Sequence, residues 1–236
     1  MLSKLKNKIS ENLKKRWLVP SIPFSLQRLK RMGVEFKCCF DVGAYRGEFT
    51  VECMKYWKNA QYFCFEPVES HYAKLKNEFR NLENVKCIQT ALGSQMISKQ
   101  TIFVRESASS LLDEHYHHHP TQICKVDTIK NFIEQNNVKP DFIKLDVQGY
   151  ELEILKGADS YIESLELILI ELNFIDIHRQ APLFLEVTEW LGKRNFVAFD
   201  ICGITRRPLD NALWQADFIF LPENSKLRSD KRYSIE

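Results

Sequence analysis

Apolar and polar residues alternate along the chain with two periods, and these periods predict the secondary structure. From about Glu35 onwards, short apolar runs recur between longer stretches whose apolar residues have helical spacing. The runs predict strands near residues 37–42, 61–66, 85–90, 141–146, 165–171, 195–200 and 216–221. The longer stretches predict helices near residues 47–58, 68–80, 127–136, 149–162 and 181–193. Strands of this kind in alternation with helices predict an α/β fold, with a mostly parallel sheet covered on both faces.

Two parts of the chain depart from this rhythm. Residues 94–126 contain one further apolar run, TIFV, and then a polar stretch, ESASSLLDEHYHHHPTQ, which predicts a strand followed by a long functional loop. Pro20 and Pro23 mark a break near the N-terminus, and the residues after about 224 are polar. We therefore predict a basic helical segment at 1–33, one domain at 34–224 and a polar tail at 225–236.

The basic charge is concentrated at the N-terminus. The chain carries a net charge of +2, whereas residues 1–31 contain nine Lys or Arg and one acidic residue. Among these lysines, apolar residues recur at helical spacing, at Leu2, Leu5, Ile9, Leu13 and Trp17. This predicts an amphipathic basic helix over residues 1–17, which suits an anionic membrane surface, a partner helix, or packing on its own domain. No nucleic-acid motif accompanies it, so no nucleic-acid partner is expected.

The seven cysteines are odd in number, form no CxxC pair and lie mostly within predicted strands. Such a pattern is typical of reduced core thiols rather than of disulfides or a metal site. No apolar stretch reaches the roughly 20 residues that span a bilayer, and no signal peptide is evident. We expect a cytoplasmic protein, held at the inner face of the membrane if the basic helix binds lipid. The oligomeric state is left open by the sequence.

Acidic residues follow four predicted strands, at Asp41, Glu66, Asp146 and Glu171. Because ligands of open α/β sheets bind beyond the carboxyl ends of the strands, we expect these acids to lie in one crevice. The turn FDVGAYRGEFT follows the first of these strands. Its two glycines, Gly43 and Gly47, would allow a ligand to approach the backbone.

The glycine turn lacks the spacing of phosphate-binding motifs. It matches neither G-x-x-x-x-G-K-[ST] nor G-x-G-x-x-G, and Asp41 would repel phosphate. A ligand with a ribose and a positively charged amino-acid portion, such as S-adenosylmethionine, fits better. Glu66 is placed to accept both ribose hydroxyls, as the acid about 20 residues on does in dinucleotide folds. Alternatively, Glu66 caps the following helix, which Pro67 begins.

Five stretches together resemble the successive motifs of the FkbM family of S-adenosylmethionine-dependent methyltransferases. They are FDVGAYRGEFT, FCFEP, CIQTALG, ASSLL and DFIKLDVQGYELEILKGA, and the resemblance covers roughly residues 37–222. It implies a Rossmann-like class I methyltransferase fold, with a seven-stranded sheet that has one antiparallel strand. It also implies methyl transfer to an oxygen, often a hydroxyl of a sugar or glycan precursor, with S-adenosylhomocysteine as product.

The resemblance also assigns residues to the cofactor. It implies contacts at the glycine turn, the ribose acid, the adenine strand, the serine stretch and the methyl group: Asp41, Gly43, Ala44, Tyr45, Gly47, Glu66, Pro67, Gln89, Thr90, Ala91, Ser109, Ser110 and Asp146. Two positions depart from the family, because Gln148 stands where an acid is common and Ser94 where Asp is usual. A neutral amide can orient a hydroxyl but cannot take its proton.

A sugar hydroxyl is a poor nucleophile, so a base or a metal should activate it. Asp146, Glu171 and His178 are the candidate catalytic residues, and Asp146 with Glu171 could hold a divalent cation. Contacts with the acceptor are predicted at Gln148, Glu151, Asn173 and His178. The histidine-rich stretch 115–119 lacks regular ligand spacing, which favours a flexible lid over a metal site.

Other functions stay open at this point. A scaffold domain that binds S-adenosylmethionine without turnover would be consistent with Gln148 and Ser94. A nucleotide-dependent enzyme such as a dehydrogenase is disfavoured by the turn sequence. Acceptors other than carbohydrates, including nitrogen acceptors, are compatible with the same motifs.

Overall fold

The computed structural model describes residues 19–234. Its strands, in chain order, are β1 (Cys38–Val42), β2 (Gln61–Phe65), β3 (Val85–Ile88), β4 (Ala91–Leu92), β5 (Ile97–Phe103), β6 (Thr121–Asp127), β7 (Phe142–Leu145), β8 (Leu167–Asn173), β9 (Phe196–Arg206) and β10 (Leu213–Pro222). Its α-helices are α1 (Ile22–Arg31), α2 (Glu48–Met54), α3 (Glu69–Glu78), α4 (Ile129–Asn136), α5 (Glu151–Lys156) and α6 (Phe184–Gly192).

Seven strands form one sheet in the order β3-β2-β1-β7-β8-β10-β9. Neighbouring strands are parallel, except that β10 runs antiparallel to both β8 and β9. The predicted seven-stranded sheet with one antiparallel strand is therefore confirmed. Strand order reverses between β1 and β7, and ligands of open α/β sheets bind at such a switch point.

Helices cover both faces of this sheet, as predicted. On one face α4, α5 and α6 add Phe132, Leu155 and Leu191 to a large apolar cluster. On the other face α1, α2 and α3 contribute residues such as Leu29, Cys53 and Leu75 to a second cluster. Strands β7 and β8 are buried along their whole length, because a central strand of a covered sheet packs on both sides.

Helix α1 falls within the basic helical segment predicted at 1–33, although Pro20 and Pro23 flank its start and indicated a break there. Ser21 caps it by accepting the backbone N–H of Phe24, and Pro23 occupies the first turn, where its missing N–H costs nothing. Leu26 and Leu29 are fully buried, and Arg28 forms an ion pair with Asp200 of β9. The helix is thus packed on the sheet. The amphipathic helix predicted over residues 1–17 lies outside the described residues.

Region 94–126 differs from its prediction of one strand and a long loop. Strands β4, β6 and β5 form a small second sheet in that order, and β6 contains the stretch TQICKVD. Alternate residues of β6, such as Cys124 and Val126, are buried against Val68 and Ile102 in a third apolar cluster. This alternation of buried and exposed residues is typical of a strand, but the polar residues of TQICKVD hide it in the sequence.

All seven cysteines are free thiols, and six of them are buried. Burial raises the pKa of the Cys124 thiol to about 11, and Asp and Glu side chains also raise the pKa of several other cysteines. They are therefore packing residues, as predicted. Among residues 19–234, no helix has the length and apolar character needed to span a membrane.

Candidate active site

A cleft opens at the carboxyl ends of β1, β2 and β7, roofed by the small sheet and the loop after β5. Half of the predicted site residues line it: Gly43, Tyr45, Glu66, Pro67, Thr90, Ala91, Ser109, Ser110 and Asp146. The others are placed elsewhere: Asp41, Ala44, Gly47, Gln89, Gln148, Glu151, Glu171, Asn173 and His178. The structure thus brings residues of all five motifs together in the cleft but places Asp41, Glu151 and Glu171 outside its lining.

The glycines of the turn are required by contacts within the protein. Both have positive φ, 76° at Gly43 and 89° at Gly47. A Cβ on Gly43 would overlap the backbone carbonyl of Asp146, and a Cβ on Gly47 would overlap the ring of Phe79. Gly43 also lines the cleft, where a ligand could approach its backbone, whereas Gly47 lies outside the cleft lining. Gly43 joins the ends of β1 and β7, and Gly47 joins α2 to α3.

Asp41 and Ala44 lie behind the turn rather than in the cleft. Asp41 is fully buried, and its Oδ2 accepts a hydrogen bond from the Thr50 hydroxyl at 2.8 Å. Its Oδ1 lies 3.3 Å from the ammonium of Lys144. Ala44 packs in the apolar cluster on that face. The structure therefore places Asp41 against Thr50 and Lys144, and not in the cleft lining where the sequence predicted it.

Glu66 lines the cleft and also organises the backbone around it. Its Oε2 accepts the N–H of Tyr45 at 2.9 Å, and its Oε1 accepts the N–H of Val68 at 2.9 Å. Each oxygen of a carboxylate has two lone pairs, so both retain capacity for a further donor. The two readings of Glu66, as helix cap and as ligand acid, are therefore compatible.

His71 is a cleft residue that the sequence did not reveal. It is buried in the first turn of α3, with Nδ1 3.8 Å from Oε1 of Glu66. Its ring packs edge-on against that of Tyr45, with centroids 4.8 Å apart. The only signal was its position, five residues after Glu66.

The rest of the cleft wall is apolar. Thr90 and Ala91 lie on it, whereas Gln89 is exposed outside it. The remaining apolar lining comes from side chains that no motif singled out, among them Phe65, Leu92, Ile102, Leu111 and Ile154. An apolar slot of this kind, with polar groups at its ends, is typical of a small-molecule site.

The loop after β5 closes one side of the cleft. Glu106 accepts hydrogen bonds from the Tyr45 hydroxyl at 2.7 Å and from Arg46 at 3.0 Å. Ser110 is buried and donates its hydroxyl to the backbone carbonyl of Gln148 at 2.9 Å. The Ser109 hydroxyl accepts the N–H of Arg105 and donates to the carbonyl of the same residue. The loop is thus tied both to the glycine turn and to the turn after β7.

Asp146 directly follows β7. Of the four acids predicted at strand ends, Asp146 and Glu66 line the cleft. About a third of its side chain is exposed. Its Oδ1 accepts the Gln148 amide at 3.1 Å, and its Oδ2 lies 3.5 Å from the ammonium of Lys144. Burial alone would lower the pKa of Lys144, but Asp146 and Asp41 raise it above its ordinary value. Lys144 therefore remains a cation beside Asp146.

A buried network of amides and acids supports Asp146 from below. Glu171 Oε1 accepts both the Gln148 and the Gln215 amide at 2.7 Å, and Gln215 also donates to Asn173 at 3.1 Å. Burial, with the nearby charges of Asp146 and Asp217, raises the pKa of Glu171 well above its usual range. Gln148, Glu171 and Asn173 thus face one another instead of the cleft. Gln215, in β10, was missed because its partners are remote in sequence.

The predicted cation pair does not have the geometry of a metal site. The Gln148 amide nitrogen lies between the carboxylates of Asp146 and Glu171, where a bridging cation would need to bind. Within residues 19–234, no group of three His, Cys, Asp or Glu side chains has ligand spacing. A donor N–H₂ in this position satisfies both acids without a cation.

Glu151 is part of the turn itself. It is buried, and its carboxylate accepts the backbone N–H groups of Val147 and Gly149 at 3.0 Å. Burial raises its pKa to about 7, although these hydrogen bonds oppose the shift. Glu151, predicted to contact the acceptor, therefore lies outside the cleft lining and holds the 146–149 turn, in which Gln148 has a φ of 60°.

His178 lies away from the cleft in a cluster around Glu114. It is 2% exposed, and its Nε2 is 3.8 Å from Oε1 of Glu114, which Arg105 and His119 also approach. Burial lowers the pKa of His178, with Glu114 opposing the shift. The prediction of His178 as a cleft base is wrong in this structure. The cluster anchors the histidine-rich loop to the segment after β8.

Comparisons with known proteins agree with this architecture. The methyltransferase FkbM domain matches residues 41–198, more than half of the chain. Sp1610 of Streptococcus pneumoniae, solved in complex with S-adenosyl-L-methionine, is 13% identical, with 87% of this chain and 75% of that chain covered and a TM-score of 0.50. TrmK of M. capricolum, in complex with S-adenosyl-homocysteine, is 7% identical, with 84% and 68% covered and a TM-score of 0.50.

At such low identities these structural matches establish the fold, which is that of class I methyltransferases. A comparison with curated proteins finds no match. The domain match covers the glycine turn, Glu66, the small sheet and the whole turn after β7. The chain therefore belongs to the FkbM family of S-adenosylmethionine-dependent methyltransferases.

Proposed function

We propose that the protein transfers the methyl group of S-adenosylmethionine to a hydroxyl oxygen of a sugar or glycan precursor, with Asp146 as the catalytic residue. The observation that carries this proposal is the position of Asp146. Its partly exposed carboxylate shares one cleft with Glu66, and between them lies an apolar wall. A carboxylate at this place can orient a hydroxyl and accept its proton.

The opposite end of the cleft suits the nucleoside part of the cofactor. Glu66 has two unused lone pairs for the ribose hydroxyls, because each oxygen accepts one backbone N–H. The slot lined by Leu92, Ile102 and Ile154 suits adenine, since an aromatic base gains free energy when it leaves water for an apolar wall. The cofactors named for Sp1610 and TrmK support this assignment.

Apart from aligning the reactants and excluding water, the protein needs to contribute little to methyl transfer from a sulfonium. When bound, the cofactor supplies a methyl group carried by a sulfonium, and the sulfur is released as a neutral thioether. Glu66 would hold the ribose of the cofactor, and Asp146 would take the proton of the acceptor hydroxyl as its oxygen receives the methyl group. Gln148 keeps Asp146 in place for this step, because its amide donates to the Asp146 carboxylate.

The hydroxyl acceptor is favoured by the groups at the Asp146 end. Carboxylate and amide groups recur there, in Asp146, Gln148 and Asn173, and such groups exchange hydrogen bonds readily with hydroxyls. Asn173 and Gln148 are buried and face away from the cleft, so they support the acceptor site by positioning Asp146. The family resemblance adds the sugar as the substrate class.

The test combines cofactor binding with a panel of acceptors. S-adenosylmethionine and S-adenosylhomocysteine are titrated by calorimetry into wild type and Glu66→Ala, with NAD as control and with and without Mg²⁺. Micromolar binding, lost in Glu66→Ala and independent of Mg²⁺, is expected. Transfer of a labelled methyl group is then measured on monosaccharides, nucleotide sugars, tRNA and amine compounds. Transfer to sugars supports the proposal, whereas binding without transfer supports a scaffold, and transfer confined to tRNA or amines overturns the sugar assignment.

A further inference from the structure

Lys144 is a buried cation that no part of the proposed chemistry uses directly. It lies in β7, opposite Asp41 of β1 in the parallel register, and is 4% exposed. Its ammonium lies 5.8 Å from the ring centroid of Phe49. Burying an ammonium among apolar groups is costly, so its position requires partners that compensate for the loss of water.

The partners of Lys144 belong to both ends of the cleft. Its Nζ donates to the backbone carbonyl of Gly43 at 2.9 Å, which fixes the glycine turn. The same Nζ lies 3.5 Å from Asp146 Oδ2 and 3.3 Å from Asp41 Oδ1. One ammonium therefore contacts the turn beside the cofactor and the acid beside the acceptor.

We propose that Lys144 is a positioning residue, which holds the glycine turn and the Asp146 carboxylate in one fixed arrangement. This inference rests on the proposed function. The backbones of Gly43 and Asp146 touch so closely that no Cβ fits between them. Lys144 adds a side-chain bond across the same junction, so that the glycine turn and Asp146 can shift only together.

A purely structural role competes with this proposal. Asp41 is fully buried, and among residues 19–234 its Oδ1 has no polar partner other than Lys144. Lys144 could then serve only to neutralise Asp41, without effect on the cleft. The two roles predict different S-adenosylhomocysteine affinities for a variant that lacks the charges of both Asp41 and Lys144.

The experiment measures S-adenosylhomocysteine affinity and thermal unfolding in four variants of the full chain. They are Lys144→Met, Asp41→Asn, the double variant Asp41→Asn/Lys144→Met and, as matched control, Lys156→Met. Lys156 lies on the surface of α5, where it pairs with Glu153. We expect Lys144→Met to bind at least tenfold more weakly, about 1.4 kcal/mol. Lys156→Met should bind within about twofold of wild type, as expected for a surface residue.

The double variant decides between the roles, and it also covers the case in which Lys144→Met does not fold. If Lys144 positions the site, the double variant regains the stability of Asp41→Asn but still binds weakly. If the double variant binds like wild type, Lys144 only neutralises Asp41 and the proposal is overturned. Equal binding by Lys144→Met and wild type overturns it as well. Wild type that binds neither cofactor form contradicts the proposed function instead.

Turnover on the best acceptor supplies a second readout. Because Lys144 contacts both ends, Lys144→Met should raise KM for S-adenosylmethionine and also lower kcat. Glu66→Gln, which changes only the ribose end, should raise KM with little change in kcat. A Lys144→Met variant that is folded and moves neither constant would contradict the positioning role.

Discussion

The two ends of the cleft are built from different kinds of contact. At the Glu66 end, the carboxylate is held by backbone N–H groups of Tyr45 and Val68. At the Asp146 end, the carboxylate is held by side chains, the amide of Gln148 and the ammonium of Lys144. Backbone contacts follow from the fold, whereas side-chain contacts depend on individual residues. Substitutions at the Asp146 end should therefore change chemistry, while the Glu66 end keeps its shape.

The strongest way to break this comparison is Asp146→Asn. The amide keeps the shape of the acid but cannot accept the acceptor's proton, so kcat should fall about 10² to 10⁴-fold. Affinity for S-adenosylhomocysteine should stay within about threefold, since binding energy comes mainly from the Glu66 end. The measurement is kcat on the best acceptor, with the surface variant Asp159→Asn as control. An unchanged kcat would remove Asp146 from the chemistry.

The next effect concerns pH and the turn after β7. Burial raises the pKa of Glu151 to about 7, above its ordinary value of 4.5. The folded state therefore holds the proton more tightly than the unfolded state. The resulting stability is fully present below about pH 4.5 and is lost as pH rises towards 7, by up to about 3 kcal/mol.

Glu151→Gln should flatten this pH dependence, because an amide does not titrate. Urea unfolding of wild type and variant at pH values between 4.5 and 7.5 measures the change in the free energy of unfolding. Asp217, whose pKa burial also raises to about 7, remains in both proteins and leaves a smaller slope of the same sign. Equal slopes in the two proteins would show that Glu151 is ionised in the folded state.

The strands were predictable because buried parallel strands are apolar on both faces, as in the run LELILIEL within and around β8. The acids were harder to place. Asp41 lies inside β1, whereas Asp146 comes one residue after β7 ends. Side chains alternate with a period of two along a strand, so a shift of one residue moves an acid to the other face. The sequence pattern leaves strand ends uncertain by more than that.

Other site residues were invisible for a different reason. Gln215 and Lys144 matter through contacts between strands, and β10 lies some 70 residues after β7 in the chain. Gln148 was recognised as a departure from the family, yet its partners Glu171 and Gln215 follow only from the sheet order. His178 was misplaced because the segment after β8 turns towards Glu114.

A smaller effect sharpens the contrast at the Asp146 end. Gln215→Met removes the amide donor from three buried acceptors, Gln148, Glu171 and Asn173. Leaving them short of a donor should lower the free energy of unfolding by about 1–3 kcal/mol. Affinity for S-adenosylhomocysteine should hardly change, because the Glu66 end is untouched. Gln135→Met, on the exposed side of α4, is the matched control in urea unfolding. If Gln215→Met loses S-adenosylhomocysteine affinity in proportion to its loss of stability, the two ends of the cleft are not separable.

The smallest expected effect lies where the loop after β5 joins the two ends. Ser110→Ala removes the hydrogen bond to the Gln148 carbonyl and the one accepted from Leu112, both within the buried base of the loop. The free energy of unfolding should fall by about 1 kcal/mol. KM for S-adenosylmethionine should rise a few-fold, because Ser110, Leu111 and Glu106 form one wall of the cleft. Ser164→Ala, which loses a bond to Tyr161 far from the cleft, controls for the stability change. If both variants lose similar stability and only Ser110→Ala changes KM, the loop couples the backbone-built end to the side-chain-built end.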